Sequence, residues 1–205
     1  MTTRIKICGV TTPDDARLAA ELGAFAVGMI FWEGSPRNVS IDTARAIVAA
    51  LPRGVDPVGV FVDETPDTVR EVTHAVGLAA VQLHGHEDVR AYSIDGCKVM
   101  KAIAIGEEAD VETARALPSP VLPLLDAHDP VKRGGTGRTI DWGLAARVAA
   151  ARPIVLSGGL HACNVAEAIR AVHPYAVDVS SGVEYAPGRK DPARLRALFA
   201  AVGEL

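Results

Sequence analysis

Two residues in this sequence have the chemistry of an acid/base pair: Cys8, in the segment K-I-C-G, and Asp126, which closes the apolar run V-L-P-L-L-D. A thiol beside an ammonium in a partly closed site can ionise and serve as nucleophile or general base. Its alternative is a buried, inert cysteine, the usual state of a free thiol. A carboxyl at the end of an apolar strand is desolvated enough to keep a proton and act as a general acid. Its alternative is a helix or turn cap.

A second set of residues suits an anion. L-S-G-G-L and V-S-S-G-V-E offer backbone N–H groups at Gly158, Gly159, Ser180, Ser181 and Gly182, each expected where a helix begins and its dipole favours negative charge. A glycine-rich segment, K-R-G-G-T-G-R, follows Asp126 and contains Gly135. In G-S-P-R, Arg37 presents a planar fork that fits a carboxylate, against the alternative of a solvated surface charge. V-Q-L-H-G carries Gln82 and His84, the latter with the alternative of a satisfied structural histidine. His84, His86 and Glu87 lack a second ligand cluster of suitable type and spacing, so no metal is expected.

These residues need elements to hold them. Short β-branched runs at 5–8, 25–30, 57–62, 80–83, 98–104, 121–126, 154–157 and 176–180 alternate with amphipathic, Ala- and Leu-rich stretches. That alternation signals βα units building a parallel sheet. Thr12-Pro13-Asp14, Ser40-Ile41-Asp42, Thr65-Pro66-Asp67 and Asp191-Pro192 read as helix starts. Eight consecutive units, each strand followed by a helix, fit one closed (β/α)8 TIM barrel with eight parallel strands over residues 1–205. An open doubly wound sheet would need a G-x-G-x-x-G turn after the first strand, and K-I-C-G-V-T-T is not one.

The barrel places function at the C-terminal strand ends. Along the first strand the side chains alternate, so Ile5 and Ile7 suit the helix-packed outside while Lys6 and Cys8 face the lumen. Asp178 shares the parity of Ser180 on strand eight, the neighbour of strand one in a closed barrel. It is therefore expected to face the lumen and pair with Lys6, limiting the effect of the lysine on Cys8.

The formal net charge of −4 gives no nucleic-acid footprint, and the longest apolar runs fall short of a membrane span. Three cysteines without C-x-x-C spacing, and no secretory leader, lead to the expectation of a reduced, cytoplasmic protein. With 4% aromatic residues no exposed dimer patch is expected, which favours a monomer.

K-I-C-G, S-P-R, V-Q-L-H-G, L-L-D, G-G-T-G followed by D-W, L-S-G-G-L with N-V, and V-D-V-S-S-G-V-E followed by P-G-R-K-D together resemble the phosphoribosylanthranilate isomerase family, in its order and about its spacing, from Lys6 to about Asp191. The resemblance implies a cofactor-independent Amadori rearrangement of a small phosphorylated substrate, N-(5-phosphoribosyl)anthranilate, in tryptophan biosynthesis. By motif it implies Cys8 as general base and Asp126 as general acid. Arg37 would hold the anthranilate carboxylate, and the two glycine turns the phosphate. Lys6, Gln82, His84, Gly135 and Asp178 are expected to complete the substrate site. The loop F-W-E-G-S-P-R departs from the commonest family form, and Trp32 within it either stacks on the anthranilate ring or, the favoured reading, caps the barrel. The sister isomerases of histidine biosynthesis resemble a two-fold repeat with an aspartate where Cys8 stands. A non-catalytic phosphate-binding barrel would keep the glycine turns but lose the acid/base pair.

Overall fold

The computed structural model describes residues 3–94, 96–127 and 140–203. Eight parallel strands close into a barrel in chain order: β1 (Arg4–Ile7), β2 (Ala26–Ile30), β3 (Asp56–Phe61), β4 (Ala80–Leu83), β5 (Lys98–Ile105), β6 (Leu122–Ala127), β7 (Val155–Leu156) and β8 (Ala176–Val179). Each expected strand is present, with its ends displaced by at most one residue. Pairing of β1 with β8, in the register Lys6 to Asp178, completes the ring.

Helices lie between the strands on the outside: α1 (Pro13–Glu21), α2 (Ile41–Ala50), α3 (Pro66–Val76), α4 (Glu108–Ala116), α5 (Trp142–Ala149), α6 (Val165–Val172) and α7 (Pro192–Gly203). The first three begin where the caps were read. Thr12, Ser40 and Thr65 each accept a hydrogen bond from the backbone N–H three residues on, satisfying a donor that the first helical turn leaves unpaired. Asp191 does the same for Ala193 and Arg194 at the start of α7.

Two cores follow from the pleat. Outward residues such as Ile5, Ile7, Val27 and Met29 pack with the apolar faces of the helices, including Val69 and Val72 of α3 and Val165 and Ile169 of α6. Full burial of each such side chain contributes about 1.5–3 kcal/mol. Inward residues Ala26, Val58, Ala80, Met100, Leu124, Val155 and Ala176 form a second, smaller cluster that fills the lumen at its lower level. Lys6, Gln82 and Asp178 have the same inward parity one pleat repeat higher. The lumen therefore turns from apolar to polar on the way up.

Three local features differ from the expectation. Among the described residues no α-helix follows β4; the connection holds a 3-10 turn at Val89–Ala91. Its opening residues are drawn back into the barrel end, because Glu87 accepts from the N–H groups of Asp63 and Gly85 and pairs with Lys101 at 2.8 Å. The glycine turn after β7 does not open directly onto a helix, since α6 starts only at Val165. After β8 a 3-10 turn at Ser181–Val183 leads into an antiparallel hairpin, β9 (Glu184–Ala186) with β10 (Arg189–Lys190), which reverses around Pro187 and Gly188.

Candidate active site

Successive inward positions bring a set of polar side chains to the C-terminal mouth. Cys8, Gln82, His84, Asp126, Ser157, Asp178 and Ser180 line a cavity of about 570 Å³, together with the loop residues Trp32, Pro36, Arg37 and Pro187 and an apolar wall of Ile30, Val60 and Val62. Cys8 follows β1, and Asp126 lies on β6. In the ring, β7 and β8 stand between those two strands on the shorter way round, so thiol and carboxyl meet the cavity from separate parts of its wall.

Below the floor lies a buried ion pair. Lys6, fully enclosed, donates to Asp178 Oδ1 at 2.8 Å and, across the lumen, to Gln82 Oε1 at 2.9 Å. Burial alone would pull the lysine pKa down, but the Asp178 carboxylate and the Cys8 sulfur outweigh it and the net shift is upward. Gly28 on β2 makes room for this group: a Cβ there would come within 2.8 Å of Cys8 Sγ and 3.2 Å of Lys6 Nζ.

The same arrangement corrects the expectation of a low-pKa thiol. Burial pushes the Cys8 pKa up, the Lys6 charge lowers it, the Asp178 charge raises it again, and the net direction is upward. Burial is the largest influence, and the Lys6 charge, shared with Asp178, offsets it only in part.

A second buried cluster holds Arg37. Glu184 accepts from Arg37 Nε at 2.9 Å and from Nη2 at 2.6 Å, a two-pronged contact that fixes the guanidinium plane. Lys190 in turn donates to Glu184 at 2.8 Å and to the Cys8 carbonyl at 2.5 Å. Burial would raise the Glu184 pKa, yet Arg37 and Lys190 together hold it below the ordinary carboxylate range. Gly9, at φ +69°, lets the chain turn beneath this cluster, and a Cβ there would lie 2.5 Å from Arg37 Cδ. Arg37 thus reaches the cavity with one edge already occupied, and among the described residues its Nη1 carries no hydrogen bond.

The glycine loops after β7 and β8 lie against each other: a Cβ on Gly182 would overlap the Leu160 carbonyl at 2.0 Å. Asn164 organises the first of them, accepting from His161 N at 2.8 Å and donating to Gly159 O at 3.0 Å. Among the described residues, the N–H groups of Gly158, Gly159, Ser181 and Gly182 donate to no protein acceptor.

Set beside known proteins, the chain finds close relatives along its whole length. The profile described as N-(5'phosphoribosyl)anthranilate (PRA) isomerase matches residues 5–201. The chain belongs to the phosphoribosylanthranilate isomerase family. A relative from Pelobacter propionicus named N-(5'-phosphoribosyl)anthranilate isomerase is 45% identical over 94% of this chain and 92% of its own. The crystal structure of phosphoribosyl anthranilate isomerase from Thermotoga maritima superposes with a TM-score of 0.91 at 41% identity, covering 99% of this chain and 100% of that one. A phosphoribosyl anthranilate isomerase in complex with reduced 1-(o-carboxyphenylamino)-1-deoxyribulose 5-phosphate superposes with a TM-score of 0.88 at 40% identity, covering 99% and 100%.

Within this family frame, the structure brings Cys8, Arg37, Gln82, His84, Asp126, Asp178 and Ser180 to one cavity. Lys6 sits beneath it, and Gly158, Gly159, Ser181 and Gly182 occupy the paired loops. Gly135, with the segment 132–138, lies outside the described residues. Trp32 lines the cavity, its indole packed over Gly34. Glu184 and Lys190 were not anticipated. The signal was present in V-E-Y-A-P-G-R-K, where an acid and a base flank a Pro-Gly reversal, but only the hairpin shows that both turn inward.

Proposed function

We propose that this protein catalyses the isomerisation of N-(5-phosphoribosyl)anthranilate to 1-(2-carboxyphenylamino)-1-deoxyribulose 5-phosphate without a cofactor. The observation that carries this reading is the joint presence of Cys8, Asp126 and a pre-oriented Arg37 in one cavity of a barrel belonging to this family. Asp126 protonates the ribose ring oxygen, the C1–O bond breaks, and the nitrogen lone pair forms a protonated Schiff base. Cys8 as thiolate then takes the proton from C2, and the electron pair flows to the nitrogen to give an enolamine. Reprotonation at C1 with loss of the hydroxyl proton yields the ketone.

Supporting groups fit the two ends of that substrate. Arg37, fixed by Glu184, meets the anthranilate carboxylate while Trp32, Pro36 and Pro187 provide an apolar wall for the ring. The N–H groups of the Gly158–Gly159 and Ser181–Gly182 loops bind the phosphate as an anion nest rather than through an α-helix dipole. Burial pushes the Cys8 thiol up in the free protein, and the cationic Schiff base formed beside it adds a positive charge that favours the thiolate.

The same reading takes residues 1–205 as one cytoplasmic domain acting as a monomer. Among the described residues no helix is long and apolar enough to cross a membrane. The exposed large apolar side chains, Ile41, Tyr175 and Tyr185, sit on separate elements. The test is the fluorescence decay of freshly generated phosphoribosylanthranilate with purified protein. Decay in proportion to enzyme is expected; a folded protein that leaves the spontaneous rate unchanged would overturn the assignment.

A further inference from the structure

Gln82 is 1% exposed, and both polar atoms of its amide are engaged. Oε1 accepts from Lys6 Nζ at 2.9 Å, and Nε2 lies 2.9 Å from His84 Nδ1. Lys6 fixes the polarity of this chain. An ammonium has donors and no acceptor, so the amide oxygen must face it and the amide NH2 must face the imidazole. The NH2 donates, so His84 Nδ1 is the acceptor and the ring proton resides on Nε2. That nitrogen is the one lying 3.5 Å from Asp126 Oδ2.

We propose that Gln82 is a positioning residue that, held by Lys6, fixes His84 as its Nε2–H tautomer, so that His84 faces Asp126 as a hydrogen-bond donor and does not accept its proton. The inference rests on the reading of Asp126 as general acid. Asp126 Oδ1 already accepts from Ala127 N at 2.8 Å. When Asp126 transfers its proton to the ring oxygen, the new carboxylate has an N–H donor on each oxygen once the 3.5 Å gap to His84 tightens with substrate bound. The opposite tautomer would bring a bare imidazole nitrogen to Asp126. It would draw the acid proton away from the substrate.

The role also explains why an uncharged amide stands at this point. Gln82 converts the donor character of Lys6 into acceptor character at one end and donor character at the other. A carboxylate in its place would accept at both ends. Nδ1 would then have to donate, and the ring proton would leave the Asp126 side.

The experiment has a spectroscopic and a kinetic arm. Nitrogen-15 NMR of the histidine rings in the wild-type protein, with His84 assigned by its loss in His84→Gln, is expected to show Nε2 protonated and Nδ1 bare. Gln82→Glu is expected to move the proton to Nδ1 and lower kcat roughly tenfold or more, with KM within about threefold, as befits a change in acid catalysis rather than binding. His84→Gln, whose NH2 can face Asp126 while its oxygen accepts from Gln82, is expected to lose less kcat than His84→Leu, whereas in Gln82→Glu combined with His84→Gln the carboxylate claims that NH2, turns the amide oxygen to Asp126 and lowers kcat further than His84→Gln alone. A wild-type Nδ1–H tautomer overturns the proposal, as does a double variant no slower than His84→Gln. If Gln82→Glu does not fold, His84→Gln and His84→Leu decide: a smaller loss of kcat in the first than in the second supports the relay, and equal loss in both overturns it. Absence of isomerase turnover in the wild type would defeat the proposed function, whereas the tautomer signal tests this inference separately.

Discussion

Asp178→Asn removes the carboxylate facing Lys6 at 2.8 Å and keeps a side chain of the same shape. Two unit charges at that separation attract by about 6 kcal/mol at an effective dielectric constant of about 20. Desolvation offsets part of that attraction, and loss of one partner from a buried pair costs about 3–5 kcal/mol. The asparagine oxygen still accepts from Nζ, so about 3 kcal/mol is the expected loss, a fall in Tm of roughly 6–12 °C for a chain of this size. The same change acts on Cys8 with the opposite benefit. Burial, the largest influence, stays; the Asp178 repulsion goes; and the Lys6 charge is no longer neutralised, so the thiol pKa moves down. The assay is iodoacetamide alkylation of Cys8 against pH, read by peptide mass, alongside guanidinium and thermal unfolding of both proteins. A variant as stable as wild type, or a Cys8 alkylation midpoint that stays or rises, would refute the reasoning.

In the wild type, Cys8 is expected to alkylate far more slowly at neutral pH than the exposed Cys163, and Cys97, whose thiol is pushed up to about 11 by burial, should also lag. Comparable labelling of all three at neutral pH would contradict the raised Cys8 pKa. Arg37→Lys loses the planar contact with Glu184 and with a carboxylate, so KM should rise roughly tenfold or more while kcat falls less; steady-state kinetics decide. Glu184 has a folded pKa below its unfolded value, so its contribution to stability is present above the unfolded carboxylate range and is lost as pH falls through the folded value. Urea midpoints between neutral and acid pH should therefore fall more steeply for wild type than for Glu184→Gln. Gly28→Ala places a methyl against Cys8 Sγ and Lys6 Nζ and should both depress kcat and cost about 1–3 kcal/mol of stability, read in steady-state kinetics and thermal unfolding.

The parts of this account that were legible in the sequence are those governed by short periods. Strand alternation put Lys6, Cys8 and Asp178 on the lumen side, and closure of the ring then made Lys6 and Asp178 partners, as found. Threonine and serine before Pro-Asp or Ile-Asp read directly as helix caps because the bond they make is three residues long. What stayed hidden depends on distant chain segments or on competition between opposing terms. Arg37 and Glu184 are 147 positions apart and meet only because the hairpin after β8 folds back over the loop after β2. The sign of the Cys8 shift needed the balance of burial, Lys6 and Asp178, which proximity to a lysine alone does not supply. The missing helix after β4 reflects Glu87 being bound by Lys101 and two backbone N–H groups, a tertiary demand that overrides local pattern.

The assignment of Cys8 as base and Asp126 as acid is tested most directly by following phosphoribosylanthranilate decay with wild type, Cys8→Ser and Asp126→Asn, while checking that each variant still binds the reduced product analogue. The account predicts rapid decay with wild type and a loss of about 10²–10⁴-fold or more in kcat for each variant, with binding retained. Turnover near the wild-type rate in either variant would contradict it.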